Sequence, residues 1–310
     1  MRTSTKFIAA IVAALAMPAL ASPEAIEEKK LATGKQKLDL ASGYIFIQSN
    51  FRTFGTFLRV PDESTQAEYQ KDLDEAFAKA QKKYPGQFKN WETEVSIAKQ
   101  TGKAPPARPV EPSKENITID AIELRDMASF GPMFIYNKDE AAPRFNYLTA
   151  VKPGTYIYYG PVLMQPGVVA GGQCMCMGTV RFEVKPGVIT DLGNFLVAAP
   201  DSVKGWDVVS VEAWKRAEEK AAKKGEPVEA PVQQRPKLAF GGVPETLKDL
   251  PVVQAEFHAH GKLNNYYALM FTRMPPIPGI LAYRRDTVID LRTGQDVPNP
   301  VIKTQVKIKK

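Results

Sequence analysis

NYLTAVKPGTYIYYGPVLM (residues 146–164) and CMCMGTVRFEVKPGVITDLGNFLV (residues 174–197) are the stretches that decide the fold. Both are runs of β-branched and aromatic residues broken by Pro-Gly pairs, at Pro153-Gly154 and Pro186-Gly187. Such side chains pack well on a pleated surface. Pro fixes one φ and Gly accepts a positive one, so the pairs read as tight turns between short strands. Neither pair needs a ligand to account for it. Short strands in close succession indicate a sandwich or an open barrel. In the first run Tyr156 and Tyr158 share one face, with Ile157 and Tyr159 opposite; the two could form a ligand platform, but strand packing accounts for them.

Working outward, ITIDAIEL (117–124) and MFIYN (133–137) extend the strand pattern upstream, and GYIFIQSNFRTFGTFLRV (43–60) reads as strand, turn, strand. The period then changes. Thr65 and Glu68 have capping-box spacing, and Tyr69, Leu73, Ala76, Phe77, Ala80 and Tyr84 repeat as one helical face up to Pro85-Gly86. Phe88, Trp91, Val95 and Ala98 resume that spacing, so residues 65–101 are expected to form two antiparallel helices joined by the Pro-Gly turn, closed by the Pro-rich stretch 104–112. Residues 209–224 carry helix formers, and EPVEAPVQQRP after Gly225 is linker-like. Beyond it VVQAEFHAH, NYYALMF, GILAYRR and TVIDLRTG read as strands, and the terminal VIKTQVKIKK suits an edge strand protected by lysines.

The pattern is that of a mostly-β protein: an antiparallel β-sandwich over 22–205 carrying a helical hairpin at 65–101, a helix and Pro-rich linker over 206–237, and a smaller β-rich segment over 238–310. YLTAVKPGTYIYYG with CMCMGTVRFEVKPGVITDLGNF resembles the small exported sandwich domains of uncharacterised proteobacterial proteins, in which Pro-Gly-Thr-Tyr opens one strand and a second Pro-Gly leads to a Leu-Gly pair. GKLNNYYALMFTRMPPIPGILAYRRDTVIDLRTG is similar to the C-terminal part of the same group. The resemblance covers about a third of the chain by its turns and strand pairs. It implies an immunoglobulin-like or transthyretin-like topology and no transferable enzymatic activity.

The N-terminus supplies an address. Arg2 and Lys6 precede an apolar run from Phe7 to Leu20 and the small-residue triplet Ala19-Leu20-Ala21, the three-part layout of a secretory signal peptide over residues 1–21. The run is too short for a spanning helix and carries Pro18. Ser22 stands where a lipid anchor would need Cys. Removing the leader takes two positive charges and lowers the net charge from +7 to +5. No later segment has 18 consecutive apolar residues, so no further membrane crossing is expected. With 41 basic residues interspersed among 34 acidic ones, the charge reads as a solvated surface, and no nucleic-acid signature is present. The Asn116-Ile117-Thr118 sequon is incidental in a bacterial chain.

Two Cys and two His occur in the chain, each pair spaced by one residue: Cys174-Met175-Cys176 and His258-Ala259-His260. Residues two apart on a strand share a face, so Cys174 and Cys176, with Met175 or Met177, could offer a soft-metal site for Cu(I), and two Cys with two His would suit zinc. Parity opposes a shared site. The cysteines fall in step with Val180, Phe182 and Val184 and should face the core, whereas His258 and His260 fall in step with Gln254 and Glu256 and should face water. A Cys174–Cys176 disulfide is the other option in an oxidising compartment; two strand steps place the Cα atoms near the upper limit for bridging, so the bond would be strained. HExxH, GxSxG, GxxxxGK[ST] and GxGxxG are all missing. The expected function is therefore that of an exported, non-enzymatic envelope protein, periplasmic or at the cell surface, meeting an envelope protein or surface component. A thiol or copper-binding protein using Cys174 and Cys176 and a hydrolase with an unmarked carboxylate pair are the alternatives.

Overall fold

Alternating large apolar residues build two sheets that share a core. The computed structural model describes residues 23–131, 133–139, 144–163, 171–196, 219–225 and 238–298. The expected leader, most of the 206–237 helix and linker, and the terminal lysine-bearing strand lie outside them.

Strands are numbered in chain order. The first sheet has the order β1 (Glu24–Ile26), β6 (Arg144–Val151), β2 (Gly43–Ser49), β11 (Ile189–Asp191), β12 (Val252–Gln254), with β5 (Asn137–Asp139) also on β6. The second runs β13 (His258–His260), β10 (Thr179–Val184), β7 (Gly154–Gly160), β3 (Gly55–Arg59), β4 (Ala128–Phe130). Two smaller sheets are β14 (Met270–Phe271), β9 (Gly171–Cys174), β8 (Val162–Leu163), and β15 (Leu281–Arg284), β16 (Thr287–Asp290), β17 (Gln295–Val297). The protein is mostly β.

Each Pro-Gly corner carries the chain from one large sheet to the other: Pro153-Gly154 links β6 to β7, and Pro186-Gly187 links β10 to β11. The sheets are therefore not purely antiparallel, because β11 lies parallel to both β2 and β12. A parallel pair needs a long crossover, and the excursion of the chain through the second sheet between β2 and β11 supplies it. Ile45, Ile47, Tyr147 and Val151 of the first sheet and Phe57, Tyr158 and Phe182 of the second enter one buried cluster. Phe57 meets Phe182 edge-on at 5.6 Å, and Phe182 meets Phe257 at 5.7 Å. The opposite faces are covered too, with Tyr44, Phe46 and Leu148 in a second cluster and Leu58, Tyr159 and Val162 in a third. The segment after residue 237 is woven into both sheets, since β12 pairs with β11 and β13 with β10.

The expected helical hairpin is instead one helix. After the short α1 (Glu28–Ala32), α2 (Glu63–Gln100) runs 38 residues straight through Pro85 and Gly86. Its N-cap is Asp62, whose side chain accepts from Thr65 N, so the helix begins before the Thr65–Glu68 spacing suggested. Tyr69, Leu73, Phe77, Ala80, Tyr84, Phe88, Trp91, Val95 and Ala98 are its half-buried or buried stripe. That stripe holds its phase across Pro85, and continuing it outweighs the single hydrogen bond that Pro removes.

What covers the stripe is not a second helix but the Pro-rich return chain. Trp91 Nε1 donates to Pro106 O at 3.0 Å, the Arg108 guanidinium stacks 5.1 Å from the Phe88 ring, and Lys114 pairs with Asp74 at 3.1 Å. Ile117–Leu124, expected as a strand, forms a loop and a 3-10 turn at Ile122–Leu124. Of MFIYN only Asn137 is in a strand.

Candidate functional site

The cysteine segment is not a continuous strand. β9 ends at Cys174 and the chain turns, Gly178 N donating to Met175 O at 3.2 Å. Cys174 and Cys176 are both fully buried and joined as a disulfide, with 5.0 Å between their Cα atoms. That spacing falls inside the ordinary bridging range, because the turn shortens the path that an extended strand would have taken. The turn also breaks the expected parity. Val180, Phe182 and Val184 belong to the main cluster, whereas the cysteines lie in the third, with Leu58, Tyr159, Val162 and Leu269.

Met175 packs against the main cluster instead, and Met177 is half-buried, so the four residues proposed as a soft-metal set are divided between layers. A disulfide sulfur is not a thiolate ligand. Among the described residues no three His, Cys, Asp or Glu side chains gather as a metal-holding group.

His258 and His260 are not the water-facing pair the alternation implied. Both are half-buried, and His258 Nδ1 lies 3.2 Å from Asp290 Oδ2, brought there by β16. Burial, with Arg181 nearby, pushes the His260 imidazole down to about 4. Tyr156, Tyr158 and Tyr159 are buried packing residues, the first two in the main cluster and the last in the third. Tyr156 donates to Lys152 O at 2.7 Å, and Tyr159 accepts from Tyr266 N at 3.0 Å.

The residues that sequence reasoning missed sit at the base of α2. Arg59 ends β3 with its side chain only 6 % exposed. Its Nε donates to Pro153 O at 2.9 Å, its Nη1 to Thr65 Oγ1 at 2.9 Å and to Asp126 Oδ2 at 3.3 Å, and its Nη2 to Asp62. Gly154, at φ +145°, leaves the space this guanidinium fills: a Cβ there would lie 2.8 Å from Nε.

Lys152 pairs with Asp126 at 3.1 Å and faces Glu68 at 3.8 Å, and Arg125 reaches Asp72 at 2.7 Å. Burial alone would raise the Asp62 carboxyl, but hydrogen bonds from Arg59, Thr65 and Ser64 hold it far below the usual carboxylate range. Arg59 is likewise kept charged by Asp62 against the cost of burial. The network fixes the start of α2 to the second sheet. The only sequence signal for it was an Arg closing the apolar run TFLR, with Asp62 three residues on.

Between α2 and the body lies a cleft of about 380 Å³, lined by Asp72, Ile119, Leu124, Arg125, Met127 and Tyr267 among others. Past Asp72 the helix meets its own return chain. Only Thr65 and Ala98 of its 38 residues are buried. At about 1.5 Å per residue it spans roughly 57 Å. Comparison with models of protein families, with curated proteins and with solved structures found no match.

Proposed function

We propose that this chain is an exported, non-enzymatic protein of the bacterial envelope, with a sandwich body of immunoglobulin-like or transthyretin-like topology that holds α2 and its return chain as an arm for meeting an envelope partner. The carrying observation is that a 38-residue helix with two buried residues is fixed at its base by an ion network around Arg59. A helix that adds so little to a core and is yet so firmly held serves something other than body stability. The leader-like N-terminus and the buried disulfide both suit an oxidising compartment outside the cytoplasm. No helix among the described residues is long and apolar enough to cross a membrane. The copper-binding alternative would need both thiols reduced and brought out of a dry cluster.

A photo-crosslinking residue placed in intact cells at Gln87 on the arm, and in a separate strain at Lys185 on the body, tests the reading. Adducts in the envelope fraction from position 87 and not from 185 are expected. Full-length chain retaining Met1 in the cytoplasm, or adducts from the body position alone, would overturn it.

A further inference from the structure

Charge is segregated along the arm. From Asp62 to residue 78 there are six acidic side chains and one basic; from 79 to 108 there are seven basic and two acidic. The acidic base is where Glu68 and Asp72 meet the body's cations, but among the described residues Lys79, Lys82, Lys83 and Lys89 pair with no carboxylate of the body.

Helix geometry sorts these charges further. At about 100° per residue, Lys79, Lys82 and Lys89 fall on the face opposite Tyr84, Phe88 and Trp91, Ile97 falls with them, and Lys83 lies at the edge of that face beside the exposed Glu94. All four lysines are exposed, and Ile97 is 54 % exposed. Lys79 has Glu75 4.0 Å away on the acidic side of the boundary. The Phe88 and Trp91 rings, which would serve as stacking platforms for a sugar polymer, are turned under Pro106 and Arg108. What the distal arm presents away from its aromatic stripe is a basic arc with one exposed aliphatic side chain on the same side.

We infer that this outer face docks on the surface of a bilayer rich in anionic phospholipid. A cluster of ammonium groups on one side of a helix complements the phosphates of an anionic surface, and an exposed aliphatic beside it can enter the headgroup boundary. The acidic base opposes contact closer to the body, which sets how far along the arm the surface is met. The inference rests on the envelope reading above and names the partner of its arm.

The test is co-sedimentation of the purified mature chain with vesicles of phosphatidylglycerol and phosphatidylethanolamine, against vesicles of phosphatidylcholine, at low and high salt. The wild type sediments with the anionic vesicles only, and high salt releases it. The variant K79Q/K82Q/K83Q/K89Q binds at least tenfold more weakly with an unchanged circular dichroism spectrum. K29Q/K35Q/K37Q/K185Q, which removes the same charge from exposed sites on the body, binds as the wild type does. Absence of wild-type binding, equal loss in both variants, or binding to polygalacturonate in place of vesicles would overturn the inference. Those results leave the envelope reading standing if position 87 still crosslinks to an envelope protein, so the two fail separately.

Discussion

Arg59 gathers Asp62, Asp126, Thr65 and the Pro153 carbonyl around a guanidinium that water scarcely reaches. Removing one partner of a buried ion pair leaves the others uncompensated, so Arg59→Met should cost about 3 kcal/mol in chemical denaturation. Arg59→Lys should recover only part of it, because an ammonium cannot reproduce the planar fork. His260 makes a pH signature. Its folded value of about 4 lies below the roughly 6.5 of an unfolded His, so between those limits the unfolded chain binds a proton that the folded chain does not. Stability therefore falls as pH drops from about 6.5 to about 4, by up to roughly 3 kcal/mol, and His260→Gln should flatten that slope in urea titrations at stepped pH. For the cysteines, intact mass after alkylation without reductant should show no adduct, and two after reduction in denaturant. That Tyr156 and Tyr158 are packing residues was legible from their strand, whereas the cysteines are buried in a different layer from the one their parity with Val180 and Phe182 gave. The covering of His260 was not, because strand alternation says which way a side chain points and nothing about what lies over it.

At the scale of elements, the strands over 43–60 and 146–191 follow from their β-branched and aromatic runs, while α2 shows how a local stop signal can mislead. Pro85-Gly86 reads as a turn, yet the apolar phase on its two sides matches, and phase is the stronger signal because it reports what the helix packs against. If the helix is continuous, Pro85→Ala restores an internal hydrogen bond and should stabilise the arm locally, by up to about 3 kcal/mol on the intrinsic scale. Hydrogen exchange of the flanking amides should slow while the body's exchange stays unchanged; a turn at this place would show no such gain. Trp91→Ala, which releases Pro106 and Arg108, should speed exchange over 84–110 alone. Beyond the local Arg59–Asp62 pair, the network was illegible because Asp126 and Lys152 come from distant positions that only the topology brings beside it.

For the whole molecule, the strand content was readable from the sequence, whereas the weaving of β12 and β13 into the two large sheets was hidden, since pairing partners far apart in the chain leave no local trace. That weaving has a thermodynamic consequence. Phe182 touches Phe57, Tyr156 and Phe257, and Phe182→Ala should cost about 3 to 5 kcal/mol. The loss should appear in one transition that takes β13 and the C-terminal strands with it, read by hydrogen exchange. The account as a whole turns on the arm being a single extended rod. Spin labels at Gln66 and Lys99, both exposed, measure this by electron–electron dipolar spectroscopy of the purified chain with its disulfide intact. A continuous helix places the two sites about 50 Å apart. A distance below about 20 Å, as two helices folded back at Pro85-Gly86 would give, would contradict it.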